Sequence, residues 1–313
     1  MTLAGPPPDS LLTQTRALLR ARGLRPRRRR GQNFLVDPRV RDRIVAAAGV
    51  AQGDLVVEVG PGTGILTEAI LRAGASVLAV ELDQALAQAL TDRLGKNPAL
   101  VVRTADALTF DFAEALRDDP RQGRIRVVAN IPYYITTPLI LRFLRHRELF
   151  DALFLTIQRE VAERLTATPG GKTHGALTLA CRYWAEARSV FFIPPTAFFP
   201  IPEVDSALVR FDLLDAPRVS VRFPGRLFAV IRAAFGTRRK TLRNALCRGG
   251  WPAASVDIAL GAAGIEGRRR GETLTLEEFA RLSEALPATT DRDEDLGAGP
   301  DREVGGRLDV AVG

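Results

Sequence analysis

Cysteine is scarce in this chain. Cys181 and Cys247 are the only two in 313 residues, and they lie far apart. That excludes a disulfide scaffold and suits a reducing compartment. Histidine is equally scarce: His146 and His174 stand alone, with no Cys/His cluster, so no zinc or other metal centre is expected. No apolar stretch approaches the roughly 20 residues that a bilayer-spanning helix needs. The opening MTLAGPPPDS lacks the charged start and apolar run of a signal peptide. The expectation is a cytoplasmic protein with no membrane partner.

Hydrophobic content is 46% and charged content 26%, ordinary for a globular protein, and the length allows two domains with a well-buried core. The net charge of +8 is unevenly placed. From Pro287 onward there are seven acids and three basic residues, so Met1 to Leu286 carries +12. A body this basic implies a polyanionic partner, most often nucleic acid, although a solvated basic surface has the same composition.

Along the chain, Leu11 to Leu24 reads as a short amphipathic helix, and Asp37-Pro38 opens another with an N-cap and a first-turn proline. Short apolar strands then alternate with helices. Strands are expected at 55–60, 76–82, 99–106, 125–130 and 152–158, and helices at 64–73, 83–94, 138–145 (capped by Thr137) and from 159. SALVRFDLL (206–214) is a late strand. This is the pattern of a parallel α/β sheet covered by helices on both faces. From about Arg222 the texture turns helical, with no convincing strand. The expected division is 1–22 as an N-terminal extension, 23–215 as the sheet domain, 222–286 as a small all-helical domain, and 288–313 as a disordered tail.

EVGPGTG (58–64) follows a strand and opens a helix. Gly60, Gly62 and Gly64 permit a tight turn and close approach of a ligand to the backbone. Glu81 ends the next strand, 21 positions beyond Gly60, where an acid bonds ribose hydroxyls. Asp106 ends the third strand and can accept from an adenine amino group. The glycines read G-x-G-x-G, with no P-loop lysine, so the pocket suits a nucleoside without a phosphate chain. Taken singly, the turn and each acid also fit a plain tight turn and solvated strand ends.

NIPY (130–133) sits at the end of the fourth strand. An adenine amino lone pair is delocalised and poorly nucleophilic, and acceptors aimed at both amino hydrogens favour a more reactive geometry. The ammonium product loses its proton readily, so no strong base is required. Together with the glycine turn, Glu81 and Asp106, this motif resembles the S-adenosylmethionine pocket of class I methyltransferases that modify exocyclic amines. The resemblance implies that Asn130 and the carbonyl of Ile131 or Pro132 supply the acceptors. It also implies that Pro132 holds those carbonyls in place and that Tyr133 stacks on an extruded base.

Over residues 23–286 the blocks GQNFLVD (31–37), EVGPGTG, ELD (81–83), DAL (106–108), NIPY, IQREVAERL (157–165), FFPIPEVDSALVR (198–210) and FGTRRKTLRNAL (235–246) appear in order. In that order they are similar to the ribosomal small-subunit RNA adenine N6,N6-dimethyltransferase family. The resemblance implies a Rossmann-like class I methyltransferase sheet with a helical C-terminal domain. It implies S-adenosylmethionine-dependent dimethylation of two adjacent adenosines in a 3′-terminal hairpin loop of small-subunit rRNA, during small-subunit maturation, by a monomer. Cofactor contacts would be Asn33, Leu35, Gly60, Gly62, Glu81, Asp106 and Asn130, with Phe198 as a second aromatic wall for the base. The chain departs from the family at Ala129, Ile131, Tyr134, Ala176, Glu203 and Thr237. Ala176 and Glu203 remove positive charge.

Basic clusters at Arg25 and Arg27, Arg28, Arg29 and Arg30, at Arg238, Arg239, Lys240 and Arg243, and at Arg268–Arg270 read as phosphate contacts on structured RNA, although each alone also fits a solvated face. The related erythromycin-resistance type, which modifies large-subunit RNA, shares NIPY. Gly31 before Gln-Asn-Phe and the TRRKTLRNAL block favour the small-subunit type. A non-catalytic assembly factor would have lost Glu81, Asp106, Asn130 or Tyr133, and all four are present.

Overall fold

The structure, a computed structural model, describes residues 10–26, 31–117, 123–171, 173–237 and 239–288. Two compact units divide the chain: Met1–Thr166 with Trp184–Ala216, and Ala167–Tyr183 with Pro217–Gly313.

The first unit opens with α1 (Leu11–Ala21), β1 (Phe34–Leu35) and α2 (Pro38–Ala48). Asp37 caps α2: its Oδ1 accepts from Arg39 N at 2.8 Å, and Pro38 occupies the first turn, as the dipeptide predicts. Then follow β2 (Leu55–Val59), α3 (Ile65–Arg72), β3 (Ser76–Glu81), α4 (Gln84–Leu94), β4 (Leu100–Thr104), α5 (Phe112–Arg117), β5 (Ile125–Asn130), α6 (Thr136–Arg145), β6 (Ala152–Gln158) and α7 (Arg159–Leu165). Each expected strand and helix in this stretch forms within a few residues of its predicted bounds. After α8 (Ala176–Trp184) come β7 (Ala185–Ile193), β8 (Phe198–Phe199) and β9 (Ser206–Leu213).

Among the described residues one sheet has the order β4-β3-β2-β5-β6-β9-β7. β2 through β6 pair in parallel, whereas β9 runs antiparallel to both β6 and β7. The sheet is therefore mixed, not wholly parallel as the strand–helix alternation implied. β7 is the edge strand that the sequence reading did not find. Its Glu186, Arg188 and Ser189 are exposed and break the apolar pattern. β2 is buried at every position, covered on both faces.

The strand order reverses between β2 and β5, so the carboxyl ends of β2, β3, β4 and β5 converge at the topological switch point where such sheets bind ligands. At the opposite end, buried Asp54 pairs with Arg126 and accepts from Ala51 N at 3.0 Å, which satisfies a carboxylate that burial alone would penalise. Thr137 does not cap α6. A 3₁₀ turn over Tyr133–Ile135 runs directly into the helix, which begins at Thr136.

The second unit adds α9 (Pro224–Phe235), α10 (Leu242–Arg248), α11 (Ala253–Ala263) and α12 (Leu276–Ala285). It also takes in residues 167–183, carrying most of α8, which a continuous 222–286 helical segment does not contain. Local signals explain its helices. Thr275 and Glu278 form a reciprocal capping box at the start of α12, and Tyr183 packs edge-on against Phe228 at 5.2 Å.

Candidate active site

Three glycines after β2 form a cradle. Gly60, Gly62 and Gly64 have φ of +66°, +56° and +75°, values that a side chain resists. Space is also short: a Cβ at Gly62 would lie 2.9 Å from the Phe34 ring, and one at Gly64 2.4 Å from Leu90. Gly64 heads α3 without a side-chain cap. Glu58 reaches across instead and accepts from Thr67 Oγ1 at 2.6 Å. Glu58 is 2% exposed, and burial, reinforced by neighbouring Glu81, pushes its carboxyl up to about 8. It is therefore a neutral acid at pH 7. The sequence reading passed over it, although a lone acid inside LVVEV was the available signal.

Glu81, 6% exposed at the end of β3, has each oxygen anchored by backbone. Oε2 accepts from Gly62 N at 3.1 Å and Oε1 from Asp83 N at 2.9 Å. Burial raises its proton affinity, and the two backbone bonds oppose that rise. A carboxylate oxygen accommodates more than one donor, so Glu81 keeps capacity for a ligand's hydroxyls. Asp106 lies exposed beyond β4, its Oδ1 accepting from Leu108 N at 2.9 Å. Leu82, exposed beside Glu81, puts an apolar face on the same cavity and was not foreseen.

At the end of β5, Asn130 Nδ2 donates to the backbone oxygen of Asn33 at 2.9 Å, which orients the amide. Asn33 therefore serves the site through its backbone, and its side chain turns back to Gly31 O at 3.3 Å. The Pro132 carbonyl accepts from Ile135 N at 3.1 Å and Thr136 Oγ1 at 3.4 Å, inside the turn. Of the two carbonyls offered as acceptors, Pro132's is already engaged. Tyr133 is held at both ends. Its backbone N lies 3.1 Å from where a Cβ on Gly31 would stand, and its hydroxyl hydrogen-bonds Ser206 Oγ at 2.8 Å. Gly31 and Ser206 are thus part of the site, although the sequence offered them only as motif letters.

One cavity is lined by Gly60, Glu81, Asp106, Asn130, Pro132 and Tyr133, together with Asn33, Leu35 and Gly62. Phe198 is not among its lining residues. It is 2% exposed, pairs with Leu35 across the β1–β8 ladder, and packs into the core beside Ala197 and Leu208. The expected second aromatic wall therefore has no free face. Tyr134 lines the cavity instead, 52% exposed.

The basic residues fare differently. Arg27, Arg28, Arg29, Arg30 and Arg238 lie outside the described residues. Arg239 and Lys240 are exposed before α10, with no acid partner among the described residues. Arg243 grips Asp257 through both nitrogens, at 2.6 and 2.7 Å. Arg268 pairs with Glu266 at 2.7 Å, Arg269 with Glu278 at 2.5 Å, and Arg270 lies 3.9 Å from Glu272. Among the described residues, no group of three or more His, Cys, Asp and Glu is placed to hold a metal ion, and no helix is long and apolar enough to cross a membrane.

The cavity fits S-adenosylmethionine on the chemistry of its own groups. Glu81 keeps accepting capacity that suits a ribose, the glycine turn carries no lysine to hold a phosphate chain, and the cradle has no side chain in the ligand's way. The small-subunit rRNA methyltransferase A of Moorella thermoacetica is 43% identical over 89% of this chain and 99% of its own length. The crystal structure of a dimethyladenosine transferase from Plasmodium falciparum superposes with a TM-score of 0.66 at 26% identity, over 80% of this chain and 95% of that one. The crystal structure of the 23S rRNA methyltransferase ErmE gives 0.60 at 27% identity, over 81% and 99%. Residues 23–286 match the ribosomal RNA adenine dimethylase model. With that model covering most of the chain and a relative 43% identical over 99% of its own length, the chain belongs to the ribosomal RNA adenine dimethylases.

Proposed function

We propose that this protein is an S-adenosylmethionine-dependent small-subunit rRNA dimethyltransferase. It places two methyl groups on N6 of each of two adjacent adenosines in the 3′-terminal hairpin loop. It acts as a cytoplasmic monomer on an immature small subunit. The observation that carries the reading is the turn after β5, where an oriented amide and a clamped tyrosine stand on the same cavity as the ribose-type acid Glu81.

S-adenosylmethionine supplies an electrophilic methyl on its sulfonium. Glu81 would hold its ribose hydroxyls, Leu82 would offer an apolar face to its adenine, and Asp106 would accept from the adenine amino group. The target adenosine leaves its stack and lies on the Tyr133 ring. Asn130 Oδ1 accepts one amino hydrogen, and the Ile131 carbonyl accepts the other, since Pro132's carbonyl is held in the turn. After one transfer a single N–H remains, and one acceptor still orients it for the second. The ammonium formed at each step releases its proton readily, so no histidine or thiol is needed. Arg239 and Lys240 contact RNA phosphates, with Arg27–Arg30 and Arg238 as further candidates.

The relative 43% identical along nearly its whole length is named for the small subunit, which favours the small-subunit target. Mass spectrometry of rRNA from cells with and without this protein decides the matter. Loss of dimethyladenosine from small-subunit RNA supports the reading. Loss confined to large-subunit RNA would transfer the function to that target, and no loss from either would exclude methylation.

A further inference from the structure

The helix α1 precedes both the family match, which begins at residue 23, and the domain boundary that the sequence predicts. It is nevertheless built into the first unit. Ser10 caps it, its Oγ accepting from Thr13 N at 3.1 Å. Leu19 is 4% exposed and forms a small cluster with Phe34 and Leu86, flanked by Leu24 and Phe199. The Arg16 guanidinium lies 4.9 Å from the Phe199 ring centre, and Arg22 pairs with Asp92 of α4.

The partners of Leu19 matter more than its burial. Phe34 and Leu86 both line the nucleoside cavity. The Phe34 ring lies against Gly62 closely enough that a Cβ there would stand 2.9 Å from it, and the Gly62 N–H is the donor that anchors Glu81 Oε2. A continuous line of contact therefore runs from Leu19 through Phe34 to Gly62 and Glu81. β1 is only two residues long and cannot hold Phe34 by its own ladder. An 11-residue helix is in turn marginal without tertiary packing. Each of the two elements supplies what the other lacks.

We infer that α1 is a positioning element of the cofactor site: by backing Phe34 and Leu86 it keeps the glycine cradle and Glu81 in the geometry that receives the nucleoside. The inference rests on the S-adenosylmethionine reading of that cavity. Linkage makes it reciprocal: ligand in the cavity stabilises α1 by as much as α1 strengthens ligand binding.

The test uses the full chain and S-adenosylhomocysteine as the probe. Leu19→Ala is expected to weaken binding about tenfold by calorimetry at a temperature well below its melting point. In methyl transfer assays KM for the cofactor rises while kcat at saturation holds, because Leu19 touches no reacting atom. Leu19→Met refills the space and restores affinity. In the unmodified protein, hydrogen exchange of α1 amides slows when S-adenosylhomocysteine is added, a readout that needs no variant. If Leu19→Ala melts earlier but binds the probe as tightly as the unmodified protein, and α1 exchange ignores the probe, α1 is only a stabilising strut and the inference is overturned. If the unmodified protein itself fails to bind the probe, the cofactor reading falls first, and the role of α1 falls with it.

Discussion

The carboxyl edge of the sheet and the surface of the helical unit use polar side chains in opposite ways. At the sheet edge Glu81 and Asn130 are each anchored by a backbone group and keep hydrogen-bonding capacity toward the cavity. On the helical unit most described arginines of the predicted RNA clusters are already matched by an acid. Arg243 holds Asp257, Arg268 holds Glu266 and Arg269 holds Glu278. A few backbone-anchored groups with spare capacity make a specific site, whereas exposed charges with close acid partners have little left to offer a ligand. On the helical unit, Arg239 and Lys240 are the cluster members without an acid partner among the described residues.

The largest way to break the contrast is at the oriented amide. Asn130→Ala is expected to lower kcat by about 10²–10³, the usual loss of one positioned transition-state partner, with RNA affinity nearly unchanged. Single-turnover kinetics and filter binding check both; an equal loss in RNA affinity would make Asn130 a binding group only. Glu81→Ala leaves the Gly62 and Asp83 amides without their acceptor and removes the ribose ligand. Cofactor affinity should fall by about 2 kcal/mol or more by calorimetry. At the ring, Tyr133→Ala should lose about 1–3 kcal/mol of base stacking, and Tyr133→Phe, which gives up only the Ser206 bond, should stay largely active.

Glu58 sharpens the comparison through pH. Its folded-state proton affinity is raised, so the folded protein holds a proton that the unfolded chain has released. Stability is lost as pH rises from the unfolded value of about 4.5 toward about 8, and the loss then levels off. Glu58→Gln keeps an acceptor for Thr67 without the proton. Between pH 6 and pH 7 the unmodified protein should lose about 1 kcal/mol relative to this variant, read by denaturant titration. A constant difference between the two would show that Glu58 does not titrate there. The smallest effects lie on the helical unit. Changing Arg239 and Lys240 together to Ala should reduce the salt slope of RNA binding by about two, while Arg243→Ala, whose charge Asp257 already offsets, should hardly alter it. Equal slopes for the two variants would erase the distinction between paired and unpaired charge.

The sequence by itself determined the alternation of strands and helices, the glycine turn, and the strand-end positions of Glu81 and Asn130, with Asp106 falling two residues past the end of β4. Each depends on local rules: the apolar period sets the strand, a helix must follow, and the strand end lands on a countable residue. The tertiary structure decided everything that depends on a distant partner. β7 carries Glu, Arg and Ser because it is an edge, and only its ladder with β9 reveals it as a strand. Phe198 resembles a pocket aromatic until its pairing with Leu35 buries it, and Tyr134 takes the exposed place on the cavity. Tyr133 meets Ser206 from 73 positions away, and Leu19 meets Phe34 and Leu86 across the boundary where the recognisable family begins. Such contacts have no period and no fixed spacing. They exist because the chain must close its core, and packing selects which side chains are left facing the ligand.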